Sequence, residues 1–273
     1  MSDYKALKET ATKLRLLTLA GIHAAQSGHT GGSLSICDIM SVLFFNEMNI
    51  SIDKPKDPDR DRFVLSKGHA APAYYAALAA KGYFPEEEIF TLRQYGSHLQ
   101  GHPSITKTVG VDMSTGSLGQ GLSAANGMAM MAKYENKDYR TYCICGDGEV
   151  QEGQIWEAAM TSAHYKLDNL VLFIDSNGLQ IDGNVKDVMD NSPLDAKFSA
   201  FGWNVIVIDG HDVEAIDGAL QEAKTVKGKP TAIIAKTVKG KGVSFIENLA
   251  SWHGAAPNDE QYAKAIAELK GVE

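Results

Sequence analysis

Beyond Gly121 the chain alternates short apolar runs of four to six residues with longer stretches in which apolar side chains recur every three or four positions. The apolar runs are Tyr142–Cys145, Leu170–Asp175, Val205–Ile208 and Ala232–Lys236; the periodic stretches are Leu122–Tyr134, Gly153–His164, Pro193–Phe201 and Val213–Thr225. Strands this apolar have no polar face to offer water, so they need cover on both sides. Helices returning between them supply that cover, and parallel pairing goes with such long crossovers. The spacing therefore predicts an α/β fold of three layers, a mainly parallel central sheet flanked by helices.

The first half is less regular. Lys5–Ala25 and Leu34–Phe45 carry helical spacing on either side of a glycine break. "DRFVLSKGHAAPAYYAALAAKGYF" passes from a short strand to an alanine-rich helix, with His69 at the junction, and Pro85 with Glu86–Glu88 suits another helix start. From Gln94 to Leu118 the chain is rich in Gly, Ser, Thr and His and lacks a period, which predicts loops of the kind that carry sites. "KGKGVSFIENLASWHGAAPN" breaks the later alternation, so 236–258 reads as a loop-rich return before a helix over Asp259–Lys270. No internal repeat or low-complexity linker divides the chain, and residues 1–273 read as one domain.

Twenty-six Lys and Arg against 34 Asp and Glu leave a formal charge of -8, which offers nucleic acid no broad attraction. No run approaches a membrane-spanning length, and the start lacks a basic segment followed by an apolar one, so a cytoplasmic location is the default expectation and no membrane partner is expected. Cys37, Cys143 and Cys145 make neither an even disulfide framework nor a CxxC knuckle, and the last two are expected to face one side of a buried strand. His98 and His102 lack the HExxH arrangement of zinc hydrolases, and "KGKG" is not a phosphate-binding loop of the GxxxxGK type.

"CICGDGEVQEG" places Asp147 between two glycines at the end of an apolar strand. A helix cap would suffice to explain one such Asp. The next strand, however, ends in "FIDSNG", and adjacent parallel strand ends would bring Asn177 beside Asp147. A carboxylate, an amide oxygen and a backbone carbonyl are too few for an isolated divalent-ion cage, but Mg2+ commonly completes its shell with phosphate oxygens and water. The pattern points to a metal-bridged diphosphate.

"SGHTGG", "DRFVLSKGHA", "GHPS", "TGSLGQGLSAANGMA", "GDGEVQEGQIWEA", "DSNGLQIDG", "DGHD" and "HGAAPN" occur in an order that resembles the N-terminal, thiamine diphosphate-binding portion of transketolases, over roughly Leu14 to Asn258. The resemblance implies thiamine diphosphate as the electron sink, with Mg2+ (Ca2+ or Mn2+ in substitution) held by Asp147, Asn177 and the Leu179 backbone oxygen. It places His69, Gly116, Gly146, Gly148, Glu149 and His253 around the cofactor, with Leu118 and Ile181 flanking its rings. His29, His102 and His253 match the catalytic histidines at the donor-sugar end. Glu152 matches an acid near the subunit interface, "KGKG" falls near the sugar or diphosphate, and His23, His98, His164 and His211 stay outside the catalytic set.

The implied reaction moves a two-carbon ketol unit from a ketose phosphate to an aldose phosphate, as in the nonoxidative pentose phosphate pathway. Complete transketolases continue into a pyrimidine-binding domain, which carries the cofactor-activating glutamate and much of the acceptor-phosphate site. The resemblance thus implies a two-plus-two heterotetramer with a separate C-terminal subunit. Another thiamine diphosphate-dependent carbon-carbon lyase or ligase subunit, and a noncatalytic cofactor-binding regulatory subunit, stay open as alternatives. "LQGHPS" also departs from the proline-flanked GHP of full-length members, which leaves donor scope open.

Overall fold

The computed structural model describes residues 2–181 and 183–271. Helices α1 (Tyr4–Ala25), α2 (Thr30–Leu34) and α3 (Cys37–Val42) precede strand β1 (Arg62–Leu65) and helix α4 (Ala71–Lys81). A long excursion follows, with one short 3-10 helix at Glu86–Thr91. Alternation then sets in with α5 (Gly121–Tyr134), β2 (Thr141–Gly146), α6 (Gly153–His164) and β3 (Leu170–Ser176). A small hairpin of β4 (Leu179–Gln180) and β5 (Gly183–Asn184) leads to α7 (Val185–Met189) and α8 (Leu194–Ala200). Strand β6 (Asn204–Asp209), helix α9 (Val213–Thr225), strand β7 (Thr231–Lys236) and helix α10 (Asp259–Lys270) complete the order.

The main sheet runs β1-β2-β3-β7-β6, parallel throughout. Side-chain alternation splits its core in two. Tyr142, Ile144, Val171, Phe173, Ile233 and Ala235 pack under α1, α3, α4 and α9. Cys143, Cys145, Leu172, Ile174, Ala232 and Ile234 pack under α5, α6 and α8, so the two strand cysteines do share a face. A third cluster, built from Leu19, Leu34, Val243, Ile246 and Ala265, seats the 236–258 return and α10 on α1. The sheet is thus the middle of three layers, as its apolar strands require. Among the described residues, no helix is long and apolar enough to cross a membrane.

Three expectations are corrected. The helix expected over Leu34–Phe45 is broken at Ser35 and Ile36. The Gly32 carbonyl, which a continuous helix would offer to Ile36, accepts instead from Lys67 Nζ at 2.6 Å and Ser35 Oγ at 3.2 Å, and Ser35 Oγ also reaches Asp175 at 2.8 Å. The segment begun by Pro85 closes as a 3-10 helix. Cover is incomplete at the edge strand β6, where Val207 is half exposed.

Candidate active site

Strands β2, β3 and β7 end side by side, with Gly146 opposite Asp175 and Ser176 opposite Lys236. Ligands of parallel sheets gather at such strand ends. The turns that follow deliver Asp147, Asn177 and Lys239 to one cavity of about 220 Å3, which Gly32, His69 and His253 also line.

Asp147 is 4% exposed; its Oδ1 accepts from Gly148 N at 2.9 Å and its Oδ2 from Gly178 N at 2.6 Å. Burial, and then the neighbouring Asp175 charge, push its carboxyl up to about 6. A buried carboxylate in that position gains from a nearby cation, and its two oxygens retain lone pairs beyond the two backbone bonds. Asn177 Nδ2 donates to Asp175 at 2.9 Å, while its Oδ1 accepts from Leu179 N at 3.1 Å. The Leu179 carbonyl accepts from Lys239 Nζ at 3.2 Å. Asp147, Asn177 and Leu179 all line the cavity. This donor set of three hard oxygens fits Mg2+ whose remaining ligands are diphosphate oxygens and water.

Positive charge comes from elements remote in sequence. Lys67 and Lys239 are both 2% exposed. Lys67 Nζ lies 2.6 Å from Asp175 Oδ2, pairing a cation just past β1 with an anion near the end of β3. Burial would raise the Asp175 carboxyl, but Lys67 and the Thr237 and Ser35 hydroxyls hold it below the usual carboxylate range. Lys239 Nζ donates to His253 Nδ1 at 2.9 Å, which places the His253 proton on Nε2. Burial, then the Lys67 charge, bring the Lys239 ammonium down to about 8.

The four histidines singled out in the sequence converge. Ring centroids of His29 lie 5.1 Å from His69, 5.4 Å from His253 and 6.5 Å from His102, and His69 and His253 are 5.1 Å apart. Burial, followed by the charges of Arg93, His102, Lys239 and Lys67, depresses His29 to about 4; burial and Lys239 depress His253 to about 3. His69 lies well below its ordinary value through burial and Lys67, and His102 is lowered by burial and Arg93. All four imidazoles are neutral at pH 7, so each offers one donor and one acceptor nitrogen. Such a cluster can hold hydroxyl and carbonyl oxygens and pass protons between them. His29 Nδ1 is buried with no hydrogen-bond partner among the described residues.

Gly116 adopts φ +134°, and a Cβ there would come within 2.8 Å of the His102 ring, so glycine lets this loop lie against the imidazole. Leu118 and Ile181 line the cavity and remain 38% and 67% exposed, placing apolar surface at its mouth. Gly146 and Gly148 line it between them. Glu149 also lines it, but its oxygens are taken by Ser66 Oγ, Gly119 N and Gly146 N, so it braces the turn around Asp147.

The other histidines lie elsewhere. His98 Nε2 pairs with Glu88 at 2.5 Å, His23 stacks on Tyr262, and His164 is exposed. His211 accepts from Val238 N at 2.8 Å and bonds Asp38 at 2.7 Å, so it holds the start of the 236–258 return. Sequence reasoning placed Lys239 only as part of a nearby loop and missed Lys67 and Asp175. The signal was a formal charge at the end of a run that must be buried, because a charge there needs a partner.

The family model described as the transketolase, thiamine diphosphate binding domain matches residues 6–272. The 6-deoxy-6-sulfo-D-fructose transketolase subunit SqwG of Clostridium sp. (strain MSTE9) is 48% identical over 264 residues, covering 97% of this chain and 96% of its own length. An apulose-4-phosphate transketolase subunit of Phocaeicola vulgatus is 44% identical, with 96% of this chain and 92% of its own covered. A solved transketolase from Campylobacter jejuni superposes with a TM-score of 0.94 at 38% identity, over 100% of this chain and 44% of that longer one. The likeness runs from α1 to α10, far beyond what a shared parallel sheet requires, and it makes this chain a member of the transketolase enzyme family, in that family's N-terminal thiamine diphosphate-binding domain.

Proposed function

We propose that the chain is the thiamine diphosphate-binding half of a two-chain transketolase that transfers a two-carbon ketol unit from an anionic ketose to an aldose acceptor. The observation that carries this reading is the clustering of His29, His69, His102 and His253, of which His69 and His253 line the cavity that Asp147, Asn177 and Leu179 also line. Thiamine diphosphate, when bound, supplies the electron sink for carbon-carbon cleavage. Asp147, Asn177 and Leu179 would hold Mg2+, or Ca2+ or Mn2+ in its place, against the diphosphate, with Lys67 and Lys239 on the same wall. His253, its Nδ1 occupied by Lys239, presents Nε2–H to a sugar oxygen. His29 and His102 hold and exchange protons with donor hydroxyls, and His69 lies on the cofactor side of the cluster.

Two relatives of matching length are named as transketolase subunits, which supports a partner in the form of a separate C-terminal subunit. Exposed Leu118, Ile181 and Met189 offer that partner an apolar surface beside the mouth. Exposed Met131 and Tyr134 on α5, and exposed Met160 and Tyr165 on and after α6, which packs on α5, suit contact with a second copy of this chain, giving a two-plus-two heterotetramer. The names of the two relatives support a sugar carrying a phosphate or sulfonate. Three buried free thiols suit a reducing compartment, and we place the enzyme in the cytoplasm.

The test is reconstitution. Ketol transfer is expected when this chain, the C-terminal subunit, thiamine diphosphate and Mg2+ are combined, and to vanish when any one is withheld. Robust transfer by the purified chain without the second subunit would end the two-chain reading. A complex that retains the cofactor but transfers from no ketose would end the transketolase reading in favour of a regulatory subunit.

A further inference from the structure

We propose that His211 is a positioning residue for the active site: braced by the buried Arg15–Asp38 pair, its imidazole fixes the backbone at Val238 and so aims Lys239 at His253 Nδ1, which keeps the His253 proton on Nε2; the proposal rests on the ketol-transfer reading. Strands β6 and β7 pair in parallel from Asn204 opposite Thr231 to Asp209 opposite Lys236. The register continues past both strand ends. Gly210 N still donates to Lys236 O at 2.8 Å, and at His211, opposite Val238, the side chain takes over: Val238 N donates to His211 Nε2 at 2.8 Å. An imidazole thus stands in for the strand carbonyl that is lost where the chain turns into α9.

Both ring nitrogens are committed. Nε2 accepts from Val238 and so carries no proton, while Nδ1 donates to Asp38 Oδ2 at 2.7 Å. Asp38, on α3, accepts from Arg15 on α1 through both oxygens, one of them 3.2 Å from Nη1. Two packed helices therefore set where Val238 lies. One residue on, Lys239 Nζ donates to Leu179 O at 3.2 Å and to His253 Nδ1 at 2.9 Å. Its stem passes Gly31 without slack, since a Cβ there would lie 2.8 Å from Lys239 Cγ. A shift at Val238 is not absorbed by swinging this lysine aside, so it moves Nζ off its acceptors. The histidine of "DGHD" acts on the site from outside it, since the cavity lining includes Lys239 and His253 but not His211.

Two measurements test this. Proton–nitrogen NMR of the full chain carrying isotope-labelled histidine reports which ring nitrogen holds each proton. Wild type should show His211 protonated on Nδ1 and His253 on Nε2; the opposite tautomer at either residue overturns the proposal, even if no His211 variant folds. In His211→Phe, which keeps a ring but no acceptor, the His253 proton should spread onto Nδ1, and an unchanged tautomer overturns the coupling. The second measurement uses assembled complexes with thiamine diphosphate and Mg2+, and the fastest donor among fructose 6-phosphate, 6-deoxy-6-sulfofructose and erythrulose. His211→Phe is expected to lower kcat/KM about tenfold, and His211→Gln, whose amide oxygen can accept from Val238 N, by less. In a Lys239→Met background the same His211→Phe change should cost under about twofold, because its route to the site is already cut. No loss in His211→Phe, or an equal loss with and without Lys239, makes His211 a brace of the fold alone and overturns the proposal. Absence of transfer by the wild-type complex from every donor instead refutes the ketol-transfer reading, and the His253 tautomer then decides the positioning role by itself.

Discussion

Asp175→Asn removes a negative charge from the centre of the sheet while keeping the side chain's volume. Asp175 is fully buried and accepts from Lys67 Nζ at 2.6 Å, Ser35 Oγ at 2.8 Å, Asn177 Nδ2 at 2.9 Å and Thr237 Oγ1. The substitution leaves the Lys67 ammonium, itself 2% exposed, without its counter-charge, with only neutral oxygens, the Gly32 carbonyl among them, to accept from it. Stranding one member of a buried pair costs about 3–5 kcal/mol, against a total stability on the order of 5–15 kcal/mol for a natural domain. With an unfolding entropy of about 2.1 cal/mol/K per residue, that loss lowers Tm by about 5–9 °C for a chain of 273 residues. Urea denaturation of the cofactor-free chain, followed by far-UV circular dichroism, measures the first figure and a thermal melt the second. Lys67→Met in the Asp175→Asn background should restore at least about 1 kcal/mol, because the stranded charge is then gone. A single-variant loss below about 1 kcal/mol, or a double variant that is simply additive, would refute the view that this ion pair braces the strand ends.

Two further outcomes are expected. Asp147→Ala should weaken Mg2+-dependent retention of thiamine diphosphate by the assembled complex at least about tenfold while hardly lowering the melting temperature of the cofactor-free chain, since burial makes that carboxylate costly rather than stabilising; unchanged cofactor affinity in isothermal titration contradicts the metal role. Asp38 is buried, which would raise its carboxyl, yet His211 and Arg15 hold it below the ordinary range. A depressed carboxyl stabilises the fold above its unfolded pKa of about 3.9 and loses that contribution as pH falls through the lower folded value. Asp38→Asn should therefore trail wild type in urea midpoint at pH 7, with the gap closing below about pH 4. A gap that stays constant in acid would count against the ion pair.

Much of the architecture was legible because the main-sheet strands of the second half are bounded apolar runs and the longer helices between them show their own period, whereas the two-residue strands β4 and β5 and the short α7 carry no such pattern. The turn at Asp147 and the one at Asn177 were legible together because neighbouring parallel strands end on the same edge. The break at Ser35 was not, since the residues that draw its hydroxyl and the Gly32 carbonyl away, Asp175 and Lys67, lie on other elements. Lys67 and Asp175 looked like ordinary charges in sequence for the same reason. Arg93 lay in an aperiodic loop that offers no pattern to read, and its bonds to Ser27 Oγ and the Gly101 carbonyl are a property of its surroundings.

By itself, then, the sequence determined the three-layer α/β order and the strand-end turns, because periodicity and turn chemistry act between near neighbours along the chain, while the set of histidines worth considering came from the ordered motifs that resemble transketolases. Tertiary structure alone decided that His29, His69, His102 and His253, drawn from four separate segments, meet within 6.5 Å ring separations along the cluster. It also decided that burial and the cations of Lys67, Arg93 and Lys239 keep those imidazoles neutral. Distance and electrostatic field are sums over groups remote in sequence, and they take values only once the chain has closed on itself.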